Sequence, residues 1–300
     1  MNNNWNSIIL VLLQCLVFNI SIWAAATDMA APVDMAARAD DFWDPPLYDK
    51  SCDMQRRWAQ SLLGEYHFHL AERILDVGSG DGLITAGIAK KYPMAEVVGL
   101  DLSPKMVAYA SRTHKAANLK FVEGDAQALP FVHKFDVVTS FSTIHRLKEP
   151  EKAIKQIYRA LKPGGKFVAA FPVLGSAIMS EAIAAVDTRP EWQKYFSTPD
   201  RKAYAFSEEA IREWLDAAGF LHVKADTKWA DEIYESEEKF RDNLRATFNQ
   251  RGVLPKDKEQ EFFSEVVKVY LRKFPKDEKG QVHFYFNRIE IVAVKPLARL

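Results

Sequence analysis

An α/β fold with a parallel sheet is predicted by three observations. From residue 73 onward, short apolar runs alternate with stretches of helical spacing. A glycine cluster, Gly78-Ser79-Gly80-Asp81-Gly82, sits between the first apolar run and the first of those helices. Acidic residues stand at or just past the ends of the first three runs, at Asp76, Asp101 and Asp125. Parallel strands need crossover connections, and the alternation supplies a helix for them.

The elements are justified in order. Ser51 to Glu65 has helical spacing, with Ser51 or Asp53 as N-cap. Ile74 to Val77 is a short strand, and Leu83 to Lys91 is the helix after the glycines. Glu96 to Leu100 is a strand ending at Asp101, and Pro104 to His114 is a helix with proline in its first turn. Leu119 to Glu123 and Phe135 to Phe141 are strands, and Glu151 to Leu161 is a helix. Lys162-Pro163-Gly164-Gly165 is a turn before the strand Lys166 to Phe171. Beyond Pro172 the pattern loosens. Ser207 to Ala218 is a helix stopped by Gly219, and Phe220 to Thr227 is a strand. Glu237 to Asn249 and Lys256 to Phe274 are amphipathic helices, and Val282 to Val294 is a last strand or hairpin arm. Phe240, Leu244 and Phe248 share one face, as do Phe262, Val266 and Tyr270. Those stripes are read as core before groove. If they line a groove, they suit a partly lipophilic ligand.

Lys plus Arg number 40 and Asp plus Glu number 40, so there is no basic surplus of the kind that phosphate contacts require. That argues against a nucleic-acid partner. Of the two cysteines, Cys15 lies in an apolar run, so no disulfide framework is legible. No His/Cys group has metal-ligand spacing, and no metal is expected.

Residues 7–26 are mostly apolar, and no charged side chain precedes Asp28. Three readings stay open. The segment 1–26 is a cleaved signal peptide, with Ala24-Ala25-Ala26 as small residues at the cleavage point. It is an uncleaved anchor that brings a membrane contact through residues 7–26, with Arg38, Lys50, Arg56 and Arg57 placing the rest on the cytoplasmic side. Or the start lies further on, at Met29 or Met35. Residues 27–46, rich in Ala, Asp and Pro, are read as a linker, and 47–300 as the working domain.

The turn Asp76-Val77-Gly78-Ser79-Gly80-Asp81-Gly82 departs from the dinucleotide fingerprint, because the sixth place is Leu83 rather than glycine. A carboxylate at Asp76 also suits a cationic ligand group better than a pyrophosphate. Asp101 lies about twenty residues past Gly80, where an acid takes ribose hydroxyls. Asp125 ends the third strand, where an acid can accept from an exocyclic amine.

These motifs, with Gly99-Leu100-Asp101-Leu102-Ser103-Pro104-Lys105-Met106, Glu123-Gly124-Asp125-Ala126 and Leu161-Lys162-Pro163-Gly164-Gly165, resemble class I S-adenosylmethionine-dependent methyltransferases. The resemblance runs from about Trp43 to Lys295. It implies a Rossmann-like, seven-stranded, mostly parallel sheet with helices on both faces and a helical cap. It implies S-adenosylmethionine as donor and S-adenosylhomocysteine as product. Asp76 and Gly78 would face the methionine part, Asp101 the ribose, and Asp125 and Ala126 the adenine. Ser79, Gly80, Leu102, Met106 and Ser140 complete the expected donor set. That donor is made in the cytosol, which weighs against export. The helix 51–65 would be a lid and the helices of 237–274 a cap.

Leu47-Tyr48-Asp49-Lys50 with Met54-Gln55-Arg56-Arg57 resembles the N-terminal segment of insect juvenile hormone acid methyltransferases. Val138-Thr139-Ser140-Phe141, Ile144-His145 and Ile157-Tyr158-Arg159-Ala160-Leu161 are similar to the same group. The segment at Trp43-Asp44-Pro45 and the C-terminal helices are similar to trans-aconitate methyltransferase. Both groups esterify carboxylic acids, so a small-molecule acid is the expected acceptor. Gln55, Tyr48, His145 and Arg146 are the candidate catalytic residues. In the resembled group a glutamine and a tryptophan after the histidine hold the carboxylate. Here Arg146 stands in place of that tryptophan, so either the substrate differs or Arg146 points to solvent.

Methylation at carbon, nitrogen or a phenol is the nearest rival. It needs a base, for which His145 is the candidate. A DNA amino-methyltransferase would carry an Asn/Asp-Pro-Pro-Tyr turn after the fourth strand, where this chain has Thr139-Ser140-Phe141-Ser142-Thr143. Asp44-Pro45-Pro46-Leu47 lies before the glycine cluster and is read as a turn. A non-catalytic donor-binding module and an NAD-dependent oxidoreductase are the alternatives from other classes.

Overall fold

The computed structural model describes residues 41–65, 73–173, 177–196 and 206–297. The apolar segment 7–26 and most of the expected linker lie outside the described residues. Among the described residues, no helix is long and apolar enough to cross a membrane.

Two short helices come first, α1 (Pro45–Ser51) and α2 (Asp53–Gly64). Then follow β1 (Arg73–Val77), α3 (Leu83–Lys91), β2 (Glu96–Asp101), α4 (Pro104–Thr113) and β3 (Leu119–Glu123). β4 (Phe135–Phe141), α5 (Pro150–Ala160) and β5 (Leu161–Pro172) continue the alternation. The C-terminal part holds α6 (Ala177–Asp187), α7 (Pro190–Gln193), α8 (Glu208–Ala218), β6 (Leu221–Tyr234), α9 (Glu237–Thr247), α10 (Glu259–Lys273) and β7 (Val282–Val294).

The seven strands form one sheet in the order β3-β2-β1-β4-β5-β7-β6. β1 to β5 are parallel, while β7 runs antiparallel between β5 and β6. The order reverses at β1, and the crevice at the carboxyl ends of β1 and β4 is where such sheets take ligands. Both sheet faces are covered, which is why the strands read as continuous apolar runs. Leu75, Val98 and Val138 join one core with Ile154 and Ile157 of α5 and Leu215 of α8. Their strand neighbours Ile74, Val97 and Val137 point to the other face, against Leu62 of α2 and Ile88 of α3.

A second core lies in the cap. Phe240 and Leu244 of α9 and Phe262, Val266 and Tyr270 of α10 pack there with Phe284 and Phe286 of β7. The apolar stripes are therefore core and line no groove, which removes their support for a lipophilic ligand.

Several expectations are corrected. Asp44-Pro45-Pro46-Leu47 starts a helix instead of making a turn. Asp44 Oδ1 accepts the Leu47 N–H at 3.1 Å, and the proline ring suits the first helical position. The helix expected at 51–65 is two helices, broken where Cys52 (φ −109°, ψ 33°) leaves helical geometry and buries its thiol. α6 and α7 were not predicted. β6 runs on to Tyr234; as an edge strand it leaves both polar and apolar residues exposed, such as Asp231, Trp229 and Ile233, so no clean alternation marks it.

Candidate active site

The glycine turn is shaped by contacts that leave no room for a side chain. Gly78 has φ +75°, and a Cβ there would fall 2.0 Å from Thr143 Oγ1. The turn after β1 thus lies directly against the turn after β4. The Gly78 and Ser79 N–H groups both donate to the Leu100 carbonyl, at 2.7 and 3.0 Å. The Gly80 N–H donates to Asp101 Oδ2 at 2.8 Å, which ties the glycine turn to the end of β2.

The acids differ in their surroundings. Asp76 is buried, with Oδ1 accepting from Thr139 Oγ1 at 2.7 Å and Oδ2 from Thr85 Oγ1 at 2.6 Å. Burial holds its carboxyl above the usual range, against the pull of those two bonds. Burial also pushes Asp101 up to about 6, opposed by N–H groups of Ser103 and Gly80 and reinforced by Asp41 and Asp76. Asp125 accepts the Gln127 N–H at 2.7 Å and so caps the short turn that presents Ala126.

A cavity of about 410 Å³ opens at this strand end. Its donor side is lined by Gly78, Gly80, Asp101, Leu102, Met106, Asp125 and Ala126. Its other wall is Phe42, Trp43 and Tyr48 before α2, with Ser142, Thr143 and Arg146 after β4 and Asn249 after α9. A smaller void behind the glycine turn is lined by Gln55, Asp76, Ser79 and Asp81. Ser79 Oγ and Gln55 Oε1 are buried without a hydrogen-bond partner, the state expected of groups that await a polar ligand.

The N-terminal helices are stapled to this site. Arg56 Nη2 donates to Asp81 Oδ2 at 2.8 Å and to Asp49 Oδ1 at 2.7 Å, joining α1, α2 and the glycine turn. Asp41 accepts from Ser103 Oγ at 2.9 Å, which draws Phe42 and Trp43 over the cavity.

The structure separates the candidate catalytic residues. Gln55 lines the small void beside Asp76 and Ser79, whereas Arg146 lines the larger cavity. Tyr48 lines both spaces. Burial, with Cys52 and Asp81 close by, holds its hydroxyl well above its usual value, and burial raises the Cys52 thiol likewise. Neither serves as a base near neutral pH. His145 does not line the cavity; it stacks on Phe171 with ring centroids 6.2 Å apart. Burial and the adjacent Arg146 charge keep His145 well below its usual value, so it is neutral. Ser140 is fully buried and gives its hydroxyl to the Val77 carbonyl at 2.9 Å, so it braces β4 against β1 and stays out of the cavity.

Arg146 faces the cavity, not bulk solvent. Its guanidinium lies 5.2 Å from the Trp43 ring centroid, its Nε donates to the Ser142 carbonyl at 3.2 Å, and its Nη1 donates to Asn249 Oδ1 at 3.2 Å. Among the described residues no carboxylate pairs with it. Ser142 and Asn249 went unnoticed in the sequence. The one signal at Ser142 is conformational, a positive φ of 54° on a non-glycine residue.

The residues fit S-adenosylmethionine. A polar void, an acid at hydroxyl height and an apolar slot edged by a third acid follow one another along the strand ends. They would hold an amino-acid end, a ribose and an adenine in that order.

Comparison with known proteins agrees. Residues 75–169 match the family model described as a methyltransferase domain. The chain is 30% identical over 220 residues to a demethylmenaquinone methyltransferase of Renibacterium salmoninarum, covering 68% of this chain and 87% of that one. It is 25% identical over 241 residues to the juvenile hormone acid O-methyltransferase of Bombyx mori, covering 74% and 84%. Among solved structures, phosphoethanolamine N-methyltransferase 2 of Haemonchus contortus in complex with S-adenosyl-L-methionine superposes with a TM-score of 0.51 at 26% identity, covering 80% of this chain and 52% of that one. The order of the seven strands, the glycine turn and these relatives together place the chain in the class I S-adenosylmethionine-dependent methyltransferases.

Proposed function

We propose that this methyltransferase esterifies a small carboxylic acid. The observation that carries the reading is Arg146, a cation in the cavity wall held only by neutral groups. A buried charge without a counter-ion is costly, and an anionic acceptor removes that cost.

The donor supplies a methyl group on a sulfonium. An acceptor carboxylate is already ionised near neutral pH. Its oxygen forms the new C–O bond as the S–CH3 bond breaks, and no proton has to leave. The protein's work is then to position the acceptor and exclude water. Phe42 and Trp43 cover the cavity, and Arg146 orients the acid. With Nε–H and one Nη1–H engaged, both Nη2 N–H groups and the second Nη1–H remain for a carboxylate. Holding one oxygen in this way leaves the other to attack. Gln55, placed in the small void with Asp76 and Ser79, serves the methionine end of the donor in this reading. Asp101 takes the ribose, and Leu102, Met106, Asp125 and Ala126 take the adenine.

The demethylmenaquinone relative favours a second reading, carbon methylation of a quinone-class ring. That reaction has to remove a proton. His145 lies off the cavity, and Tyr48 and Cys52 hold their protons tightly. The cavity thus presents the Arg146 cation, while His145, Tyr48 and Cys52 are unsuited as the base, which supports the ester over the carbon product.

The test is transfer from methyl-labelled S-adenosylmethionine to a panel of organic and fatty acids, followed by mild base. Volatile labelled methanol is the expected result. Label that survives base would overturn the ester reading in favour of carbon or nitrogen methylation.

A further inference from the structure

Resting on the carboxylate reading above, we propose that Asn249 is a positioning residue that sets the charge selectivity of the acceptor site: its neutral amide orients Arg146 and leaves the charge of Arg146 uncompensated. Asn249 opens the turn Asn249–Gly252 between α9 and α10. Its Oδ1 takes one N–H of Arg146 at 3.2 Å. An amide oxygen can orient a guanidinium without cancelling its charge, whereas a carboxylate at the same place would pair with it.

The same turn grips Arg146 by a second route. Arg251 donates through Nη2 to Asp44 Oδ2 at 3.0 Å and through Nε to Glu259 Oε2 at 3.0 Å. Asp44 caps α1 and directly follows Trp43, whose ring carries the guanidinium face. The turn therefore places both the edge partner and the face partner of Arg146. It also disposes of the nearby acids. Asp44 and Glu259 are both bound by Arg251, and Arg245 lies 3.5 Å from Glu259. With those carboxylates occupied and an amide at 249, Arg146 keeps its charge for the acceptor.

The test uses the full chain and the variants N249D, N249L and N249Q. One readout needs no acceptor: labelling of Arg146 by phenylglyoxal, followed by peptide mass mapping. An ion-paired guanidinium releases its proton less readily, so N249D should slow labelling of Arg146 several-fold, while N249Q stays near wild type. Equal labelling in N249D and wild type overturns the proposal. The other readout is the KM and kcat for decanoate and benzoate as probe acids. N249D should raise KM by about ten-fold or more with kcat nearly held, and N249L by only about three-fold. Equal KM changes in N249D and N249L would mean a merely structural role and overturn the proposal. If N249D fails to bind S-adenosylhomocysteine, N249L against N249Q decides: leucine must raise KM and glutamine must restore it. A wild-type enzyme that makes no base-labile ester from either acid overturns the carboxylate reading and this proposal together. An ester-forming wild type with an indifferent N249D overturns this proposal alone.

Discussion

Replacing Gly78 with alanine tests whether the donor turn depends on its contact with the turn after β4. The new Cβ would stand 2.0 Å from Thr143 Oγ1, 2.4 Å from its Cγ2 and 2.6 Å from its Cβ. Rotating the threonine relieves the first two contacts but not the third, so the backbone at 143 must retreat by about 1 Å to reach normal contact. The φ of +75° adds about 1–2 kcal/mol for any residue with a Cβ, and overpacking adds about 1–3 kcal/mol. The total is about 2–5 kcal/mol. If the turn keeps its course, that appears as lost stability. If the turn relaxes, it appears as donor affinity weakened by about 30-fold to about 4,000-fold. Calorimetric titration with S-adenosylhomocysteine, run beside thermal unfolding, reads both. The second-site variant T143G should recover the clash share but not the φ share. T143A keeps the Cβ at 2.6 Å and should recover little. G78A binding within about three-fold of wild type at an unchanged Tm would refute the reasoning, and so would rescue by T143A equal to that by T143G.

Donor binding should depend on pH, with Asp101 as the proposed ribose acceptor. With its carboxyl pushed up to about 6 by burial, protonation below that pH removes the ribose acceptor, so donor affinity should fall about ten-fold per pH unit below 6 and level off above 7. The stability of the donor-free protein moves the other way: an acid raised by folding adds stability that is present below about 4 and lost as pH rises through about 6. A donor Kd that stays flat from pH 5 to 7 would sink this, and D101N should bind weakly with no pH dependence in that range. His145→Asn should change ester formation by less than about three-fold and add no limb to the pH profile, since the ring is neutral and faces Phe171. A loss of about a hundred-fold would restore His145 as a base. Arg251→Met strips Asp44 of its ion pair and leaves Glu259 with only the more distant Arg245. Denaturant unfolding should show a loss of about 3–5 kcal/mol, partly recovered by adding Glu259→Leu. An unchanged midpoint would show that the pair is not needed.

The residues proposed for the donor half of the site were easier to place because they are local in sequence. Each group there belongs to a strand end or to the turn that follows it, so Asp76, Gly78, Asp101 and Asp125 can be placed by counting along alternating elements. Ser140 sits on the same kind of strand end and misled for a geometric reason. Its side chain points between β1 and β4, and no one-dimensional pattern separates that direction from the cavity side. The acceptor half was less legible. Gln55 and Arg146 were both singled out, yet the break at Cys52 turns α2 so that Gln55 lies behind the glycine turn. Asn249 follows a helix end, where a polar residue looks like an ordinary cap. The long β6 was missed because, at the sheet edge, it exposes apolar Trp229 and Ile233 beside polar Asp231, so its alternation is blurred.

The difference in legibility has a structural cause. The residues proposed to meet the donor are ones that the sheet itself sets in register, β1 beside β2 and β2 beside β3, so their spacing is tied to the fold. Arg146 is set by Trp43 before α1 and by Asn249 beyond α9, about a hundred residues away on either side. Those segments meet through tertiary contacts, Arg251 to Asp44 and Asn243 Nδ2 to the Ser51 carbonyl at 2.7 Å among them. Hydrogen-bond register does not constrain them, so the acceptor wall can change while the sheet stays fixed. Exchanging residues 42–47 and 249–252 together, with Asp41, Tyr48 and Arg146 retained, should alter acceptor preference while leaving S-adenosylhomocysteine affinity within about three-fold. An exchange that weakened the donor as much as the acceptor would show that the two halves of the cavity are not separable.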